Sequence, residues 1–393
     1  MAGVWLLGTA ARDTEEQASA VLVAVRPDGV AEGAPGTELS LRELRRLAET
    51  DGLAVADVVV QGRDRPDVAT FVGSGKVEEV VDSVRQHDAG LVIVDGELTP
   101  GQARNLQDRI GVPVVDRTAL ILDIFAEHAR STEGRLQVEL AQIAYQLPRL
   151  RGQGEALSRV GGGRMAGGAG MGVRGPGEMR LEVQRRRLRQ RATRLRAGAA
   201  ELAARRARTR GRRARNQVPS VAITGYTNAG KSALLNRLTG AEALTEDVLF
   251  ATLDPTVRRV TVQDMACTLA DTVGFVRNLP HQLVDAFRST LEEVTRSDLA
   301  LHVVDASAPD ALSQITTVHG VLHEIGAGQV PELLVLNKTD VAPPEWLTAL
   351  RRAYPDAVAV SALTGDGIEE LRAALAARLR ELARAGMRAG AGH

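Results

Sequence analysis

Eight consecutive residues, Gly225, Tyr226, Thr227, Asn228, Ala229, Gly230, Lys231 and Ser232, have the form G-x-x-x-x-G-K-S, a pattern suited to holding phosphate. Backbone N–H groups of such a loop wrap phosphate oxygens, the lysine meets the β and γ oxygens, and the serine hydroxyl ligates Mg2+. Further along, Asn337, Lys338, Thr339 and Asp340 form an N-K-x-D string. The aspartate can accept from N1–H and the exocyclic amine of guanine. Adenine offers no such donor pair and would leave the carboxylate unpaired, so GTP is selected over ATP. Ser361, Ala362 and Leu363 add a backbone contact to the base. Between these strings lie Asp271, Thr272, Val273 and Gly274, where the carboxylate can hold Mg2+, usually through water, and the Gly274 N–H can meet the γ-phosphate. In Phe250, Ala251 and Thr252, the threonine hydroxyl can complete the Mg2+ shell only while the γ-phosphate is present, which is the physical basis of a switch. The catalytic candidates are therefore Lys231, Thr252 and Gly274, the metal ligands Ser232, Thr252 and Asp271, and the ligands GTP and GDP.

Phe275 occupies the position after D-x-x-G where a glutamine would orient the attacking water. Phenylalanine cannot do so, and slow intrinsic hydrolysis is expected. The Asn228 side-chain oxygen could coordinate K+ beside the phosphates, or it could stabilise the loop's own turn. His281 is either a water-positioning group or a surface histidine.

These residues need strand ends and helix starts to hold them. The run 218–224 is apolar and β-branched, as a buried strand should be, and 232–238 reads as a helix whose N-terminal end faces the phosphates. Runs at 266–270, 332–336 and 357–360 read as further strands, each delivering its motif at the carboxyl edge of a sheet. Upstream, strands are expected over 20–25, 54–60, 91–94 and 112–115, with helices over 40–48, 77–86 and 100–109, the last capped by Thr99. From 118 to 150 the pattern is helical, and 180–208 resumes it as an antiparallel partner. The fold class is α/β: a small parallel α/β domain over 1–117, a helical hairpin linker over 118–216 with a Gly/Arg-rich loop at 151–178, a P-loop domain with a doubly wound, mostly parallel sheet over 217–382, and a flexible tail at 383–393. The string Gly73, Ser74, Gly75 and Lys76 is not a second nucleotide loop. Thr70 replaces the first glycine and Val77 the metal-binding hydroxyl, so it reads as a strand-to-helix turn.

Lysine plus arginine equals aspartate plus glutamate, 49 of each, yet the charge is unevenly placed. Residues 180–215 hold fifteen arginines against two glutamates, a local +13 that leaves −13 for the other 357. So one-sided a run exceeds what i,i+4 ion pairs could use and points to a polyanion partner. The segment 151–178 has eleven glycines in 28 residues and cannot bury a core. One cysteine, Cys267, excludes an internal disulfide and suits a reducing compartment. No run is long enough for a membrane span, and a cytoplasmic monomer is expected.

Together these motifs resemble the HflX family of translation-factor-related GTPases over nearly the whole chain. The most specific signs are Phe71-Val72-Gly73-Ser74-Gly75-Lys76-Val77-Glu78-Glu79, Asp95-Gly96-Glu97-Leu98-Thr99-Pro100-Gly101-Gln102 and Arg174-Gly175-Pro176-Gly177-Glu178, along with both switch strings and the hydrophobic residue at 275. The resemblance implies a GTPase that associates with the large ribosomal subunit. In its GTP state it would separate stalled or hibernating ribosomes into subunits, often under stress. The arginine-rich hairpin and Gly-rich loop would meet rRNA. Without the resemblance the residues support a GTPase with a polyanion partner, and leave open a GTP-dependent regulatory switch or an RNA-modification GTPase.

Overall fold

The computed structural model describes residues 18–27, 35–150, 176–215, 218–240, 249–250, 256–277 and 288–390. They fall into two compact units, Met1–Glu127 with Arg135–Ala200, and His128–Gly134 with Glu201–His393.

The first unit is built on a four-stranded parallel sheet of order β2-β1-β3-β4, with β1 at Ser19–Arg26, β2 at Ala54–Gly62, β3 at Leu91–Val94 and β4 at Val114–Asp116. Unbroken apolar runs such as Leu91–Val94, buried at every position, are what a parallel sheet covered by helices requires. The helices α1 (Pro35–Thr50), α2 (Ser74–Gln86) and α3 (Pro100–Ile110) make the crossovers. Thr99 caps α3 through a full capping box with Gln102, as its position before Pro100 predicts. The string around Gly73 is the turn into α2, where the Gly73 N–H donates to Gln61 and Lys76 pairs with Glu79 inside the helix. The fourth strand starts at Val114, two residues later than expected, because Pro113 has no N–H to donate to a ladder.

The helical pattern from 118 onward resolves into α4 (Arg117–His128) and α5 (Thr132–Arg149). The Ser131 hydroxyl accepts from the Gly134 N–H and starts the second helix. Helix α6, Pro176–Arg215, is longer at both ends than the expected 180–208. Its Leu188, Ala192 and Leu195 keep a 3–4 spacing, with the buried Leu181 two turns before them, and these three pack with Leu136, Leu140, Ile143 and Leu147 of α5. That stripe leaves Arg186, Arg187, Arg189, Arg191, Arg194 and Arg196 on the other faces, exposed.

A node at the end of β4 ties α5 to the sheet. The Asp116 carboxylate accepts from the Leu98 N–H at 3.0 Å, the Ala119 N–H at 2.9 Å, the Tyr145 hydroxyl at 2.9 Å and Arg149 at 2.8 Å. Burial and the neighbouring Asp116 charge push the Tyr145 phenol far up, so it stays a hydrogen-bond donor.

The second unit holds a six-stranded sheet of order β10-β9-β8-β5-β7-β6, parallel except for the β6–β7 hairpin at one edge. Its strands are β5 (Ser220–Gly225), β6 (Val257–Val262), β7 (Met265–Asp271), β8 (Leu299–Asp305), β9 (Glu332–Asn337) and β10 (Val358–Ala359). The helices are α7 (Lys231–Thr239), α8 (Arg288–Thr295), α9 (Ala311–Glu324), α10 (Pro344–Ala353) and α11, which runs from Ile368 to Gly390. Strand β5 pairs with β7 on one side and β8 on the other, so the chain order reverses beside it. Such a switch point opens the crevice where α/β sheets take ligands.

Candidate functional site

The loop from Gly225 to Lys231 sits at that switch point and is shaped by close backbone approaches. A Cβ on Gly225 would stand 2.2 Å from the Val303 carbonyl oxygen of β8. At Gly230, with φ +87°, it would stand 2.3 Å from the Asn337 amide nitrogen. Only glycine fits either place. Asn228 adopts φ 60°, a left-handed conformation that asparagine tolerates, which favours its turn-forming role. No described side chain caps α7, whose first N–H groups open toward the loop. Lys231 is buried, and its ammonium donates to the Tyr226 carbonyl at 2.8 Å. Burial holds its pKa down at about 8, with the Asp271 charge pulling the other way.

The D-x-x-G segment is stitched to this loop. Thr227 N–H donates to the Phe275 carbonyl at 2.7 Å and Phe275 N–H to the Gly225 carbonyl at 3.1 Å. The buried Thr272 hydroxyl donates to the Ile223 carbonyl at 2.7 Å, which fixes the peptide beyond Asp271. Val273 is buried beside it. Ser232 donates to Asp271 at 2.6 Å, bringing together two hard oxygen donors of the kind Mg2+ prefers. Gly274 lies against both loop and lysine: a Cβ there would meet Thr227 Cγ2 at 2.8 Å and Lys231 Nζ at 3.0 Å. Phe250 is buried with φ 60°. Ala251, Thr252 and His281 lie outside the described residues.

Phe275 is 1% exposed, its ring in the core and only its backbone in the site. Replacing it with glutamine is therefore expected not to speed turnover. It should instead cost about 2–4 kcal/mol by burying an amide where a ring was packed. Thermal melts and single-turnover rates check this; a tenfold gain in rate would mean the side chain leaves the core.

At the other end of the site, Asn337 is a buried clasp. Its amide donates to the Ala229 carbonyl at 2.8 Å and accepts from the Ala362 N–H at 3.0 Å, joining the phosphate loop to the 361–363 segment. Lys338 has φ 62° and pairs with Asp305 at 2.7 Å. Thr339 N–H reaches the Val360 carbonyl, Ser361 is fully buried, and Leu363 and the Asp340 carboxylate are exposed at the rim. The chemistry-bearing strings thus converge on one sheet edge. Two residues and one side-chain role escaped sequence reasoning. Arg237 of α7 donates to the Ala362 and Leu363 carbonyls, Asp305 orients Lys338, and the hydroxyl of Tyr226, a residue the loop pattern includes only for its backbone, accepts from the Arg277 N–H. Asp305 ends an apolar strand just as Asp271 does, and that signal could have found it.

Three family models match in order: a GTP-binding GTPase N-terminal model over 38–126, a GTP-binding GTPase middle-region model over 128–213, and a 50S ribosome-binding GTPase model over 220–338. Similar curated proteins carry the name GTPase HflX. The chain is 50% identical to that of Caldanaerobacter subterraneus subsp. tengcongensis over 84% of its length and 74% of the relative's. It is 45% identical to that of Lacrimispora saccharolytica over 89% and 80%, and 42% identical to that of Escherichia coli over 86% and 79%.

Proposed function

Because the chain belongs to the HflX family of GTPases, we propose that its GTP-bound form docks on the large ribosomal subunit and separates stalled or hibernating ribosomes into subunits, with GTP hydrolysis to GDP resetting the switch. The hydrolysis is the family's reaction; the target and the splitting are our reading.

In this reading the N–H groups from Gly225 to Ser232 wrap the β- and γ-phosphates, Lys231 turns from the Tyr226 carbonyl to the phosphate oxygens, and Gly274 N–H meets the γ-phosphate. Bound Mg2+ would neutralise charge between the two phosphates, held by Ser232 and Asp271 and, by its place in the sequence, Thr252. The rim carboxylate of Asp340 takes the guanine edge, with Thr339, Lys338 and the 361–363 backbone around the ring. Asn228 can lend an oxygen to K+ beside the phosphates, where the cation would take the charge-stabilising place of an arginine finger. The division into an α/β domain, a hairpin and a GTPase domain, a cytoplasmic location and a monomeric state belong to the same proposal. No described helix is long and apolar enough to cross a membrane.

The observation that carries the ribosomal reading is the exposed arginine face of α6. Arg186, Arg187, Arg189, Arg191, Arg194 and Arg196 are all exposed, and their ion pairs among described residues are Arg191 to Glu139 and a long 3.9 Å contact from Arg189 to Glu182. Arg186, Arg187, Arg194 and Arg196, which make no ion pair among the described residues, line a helix in a way that suits the phosphates of structured RNA. Sedimentation with ribosomes and separated subunits tests it, comparing a non-hydrolysable GTP analogue with GDP. Analogue-dependent migration with large subunits and loss of intact ribosomes is expected. Reversing Arg186, Arg187 and Arg189 to glutamate should weaken association by about tenfold to a hundredfold and flatten its salt dependence. Association unchanged by that reversal at moderate salt would remove the hairpin from the interface.

A further inference from the structure

Away from the nucleotide site, three metal-binding side chains meet in the second unit. His302 in the middle of β8, Glu332 at the start of β9 and His319 on α9 place one ligand atom each within 4.8 Å of one another. Glu332 Oε1 lies 2.5 Å from His302 Nδ1, and its two oxygens lie 3.1 and 2.9 Å from His319 Nε2. We propose that His302, His319 and Glu332 form a binding site for a divalent transition metal of the Zn2+ type, clamping β8, β9 and α9 together.

The donor set is two imidazoles and one carboxylate, borderline ligands that suit Zn2+ far better than Mg2+ or Ca2+. Bonds of about 2.0–2.2 Å in a tetrahedral site set donors roughly 3.3 Å apart; the carboxylate lies 2.5 Å from His302 and 2.9 Å from His319, and all three donors lie within 4.8 Å, so seating an ion asks the carboxylate to draw back and the two rings to adjust around it. Two of the ligands are fixed by sheet register. In the parallel pairing of β8 with β9, His302 stands opposite Leu334, so Glu332, two residues earlier, projects from the same face. His302 is 1% exposed, whereas His319 is half-exposed and can be reached from solvent. One carboxylate and two neutral imidazoles leave the ion a net charge of +1.

A second observation concerns the far side of His302. A metal on Nδ1 requires the imidazole proton on Nε2, and such a proton is normally held by an outer acceptor. Thr224 is the register partner of His302 on the neighbouring strand β5, and its fully buried hydroxyl has no hydrogen-bond partner among the described residues. Parallel register partners share a face of the sheet, so this oxygen is available to accept from His302 once the ion has taken Nδ1. The site lies on the strands that end in Asp305 and Asn337, so an ion there would stiffen the frame behind the Lys338–Asp305 and Asn337 contacts without touching nucleotide.

The full chain, with Mg2+ and GDP in excess to fill the nucleotide site, is titrated with Co2+ and followed by visible absorption, then with Zn2+ in competition. One Co2+ per chain with strong four-coordinate bands is expected, displaced by Zn2+ and accompanied by a rise in melting temperature. His319→Ala, at a half-exposed helix position, and Glu332→Gln should each weaken Co2+ by at least tenfold while GDP binding stays unchanged. Absence of a stoichiometric band in the unmodified chain overturns the proposal. So does a band that survives both substitutions, which would be an adventitious ion bound elsewhere.

Discussion

Exchange of Asp340 for asparagine is expected to lower GDP and GTP affinity by about a thousandfold and to raise affinity for xanthine nucleotides. Two charge-assisted hydrogen bonds from guanine to one carboxylate are worth roughly 1.5–3 kcal/mol each, and removing one oxygen acceptor in favour of an amide donor loses at least one and opposes another. Xanthine presents a carbonyl where guanine has its amine, and an asparagine N–H can donate to it. Asp340 is exposed in the structure, whereas the surrounding frame is not: Asn337 is buried and clasped to Ala229 and Ala362, and Lys338 is pinned by Asp305. The substitution should therefore leave the fold intact and act on base choice alone. Competition between GDP and XDP for the purified variant checks this, and GDP affinity kept within tenfold would mean that Asp340 does not read the base.

The strands carrying these motifs were legible because parallel strands buried on both faces read as continuous apolar runs, as in Val221 to Ile223 and Leu333 to Leu336, each followed at the strand end by polar residues. Loop glycines were legible for a similar reason, since Gly225 and Gly230 stand where any Cβ would strike Val303 or Asn337. What escaped were side chains whose roles exist only across large sequence separations. Arg237 meets the carbonyls of Ala362 and Leu363, 125 and 126 positions away. Asp116 gathers Leu98, Tyr145 and Arg149 around one carboxylate. Neither has a periodicity or local string to announce it. The break between α4 and α5 was hidden for the opposite reason: Ser131 can cap a helix, but a serine inside a helical pattern is common enough to pass unnoticed. His302, Glu332 and His319 belong with the first group, since a histidine in an apolar strand reads as core until the neighbouring strand and helix are laid over it.

Replacing Lys231 with methionine should have two effects of opposite sign. Turnover should fall by about a thousandfold, because the phosphates lose the one buried cation of the loop while the backbone cradle and metal ligands remain. The nucleotide-free domain, by contrast, should become as stable as the parent or more so. Lys231 is buried with its ammonium resting on the Tyr226 carbonyl, and a pKa of about 8 in place of 10.5 corresponds to roughly 3 kcal/mol spent on keeping the charge there. Methionine keeps most of the apolar stem, and the lost hydrogen bond to Tyr226 costs about 1 kcal/mol. The folded pKa is the lower one, so between about 8 and 10.5 the unfolded chain holds more protons and the parent gains stability as pH rises. The advantage of the methionine variant is therefore complete below pH 8 and fades toward 10.5. Melting curves of the nucleotide-free proteins at neutral and alkaline pH, alongside the shift caused by added GDP, separate the two effects. A variant clearly less stable than the parent at neutral pH would show that the lysine supports the empty loop. Lower stability from the GDP-induced shift alone would show that its charge is held ready for phosphate at the expense of the resting fold.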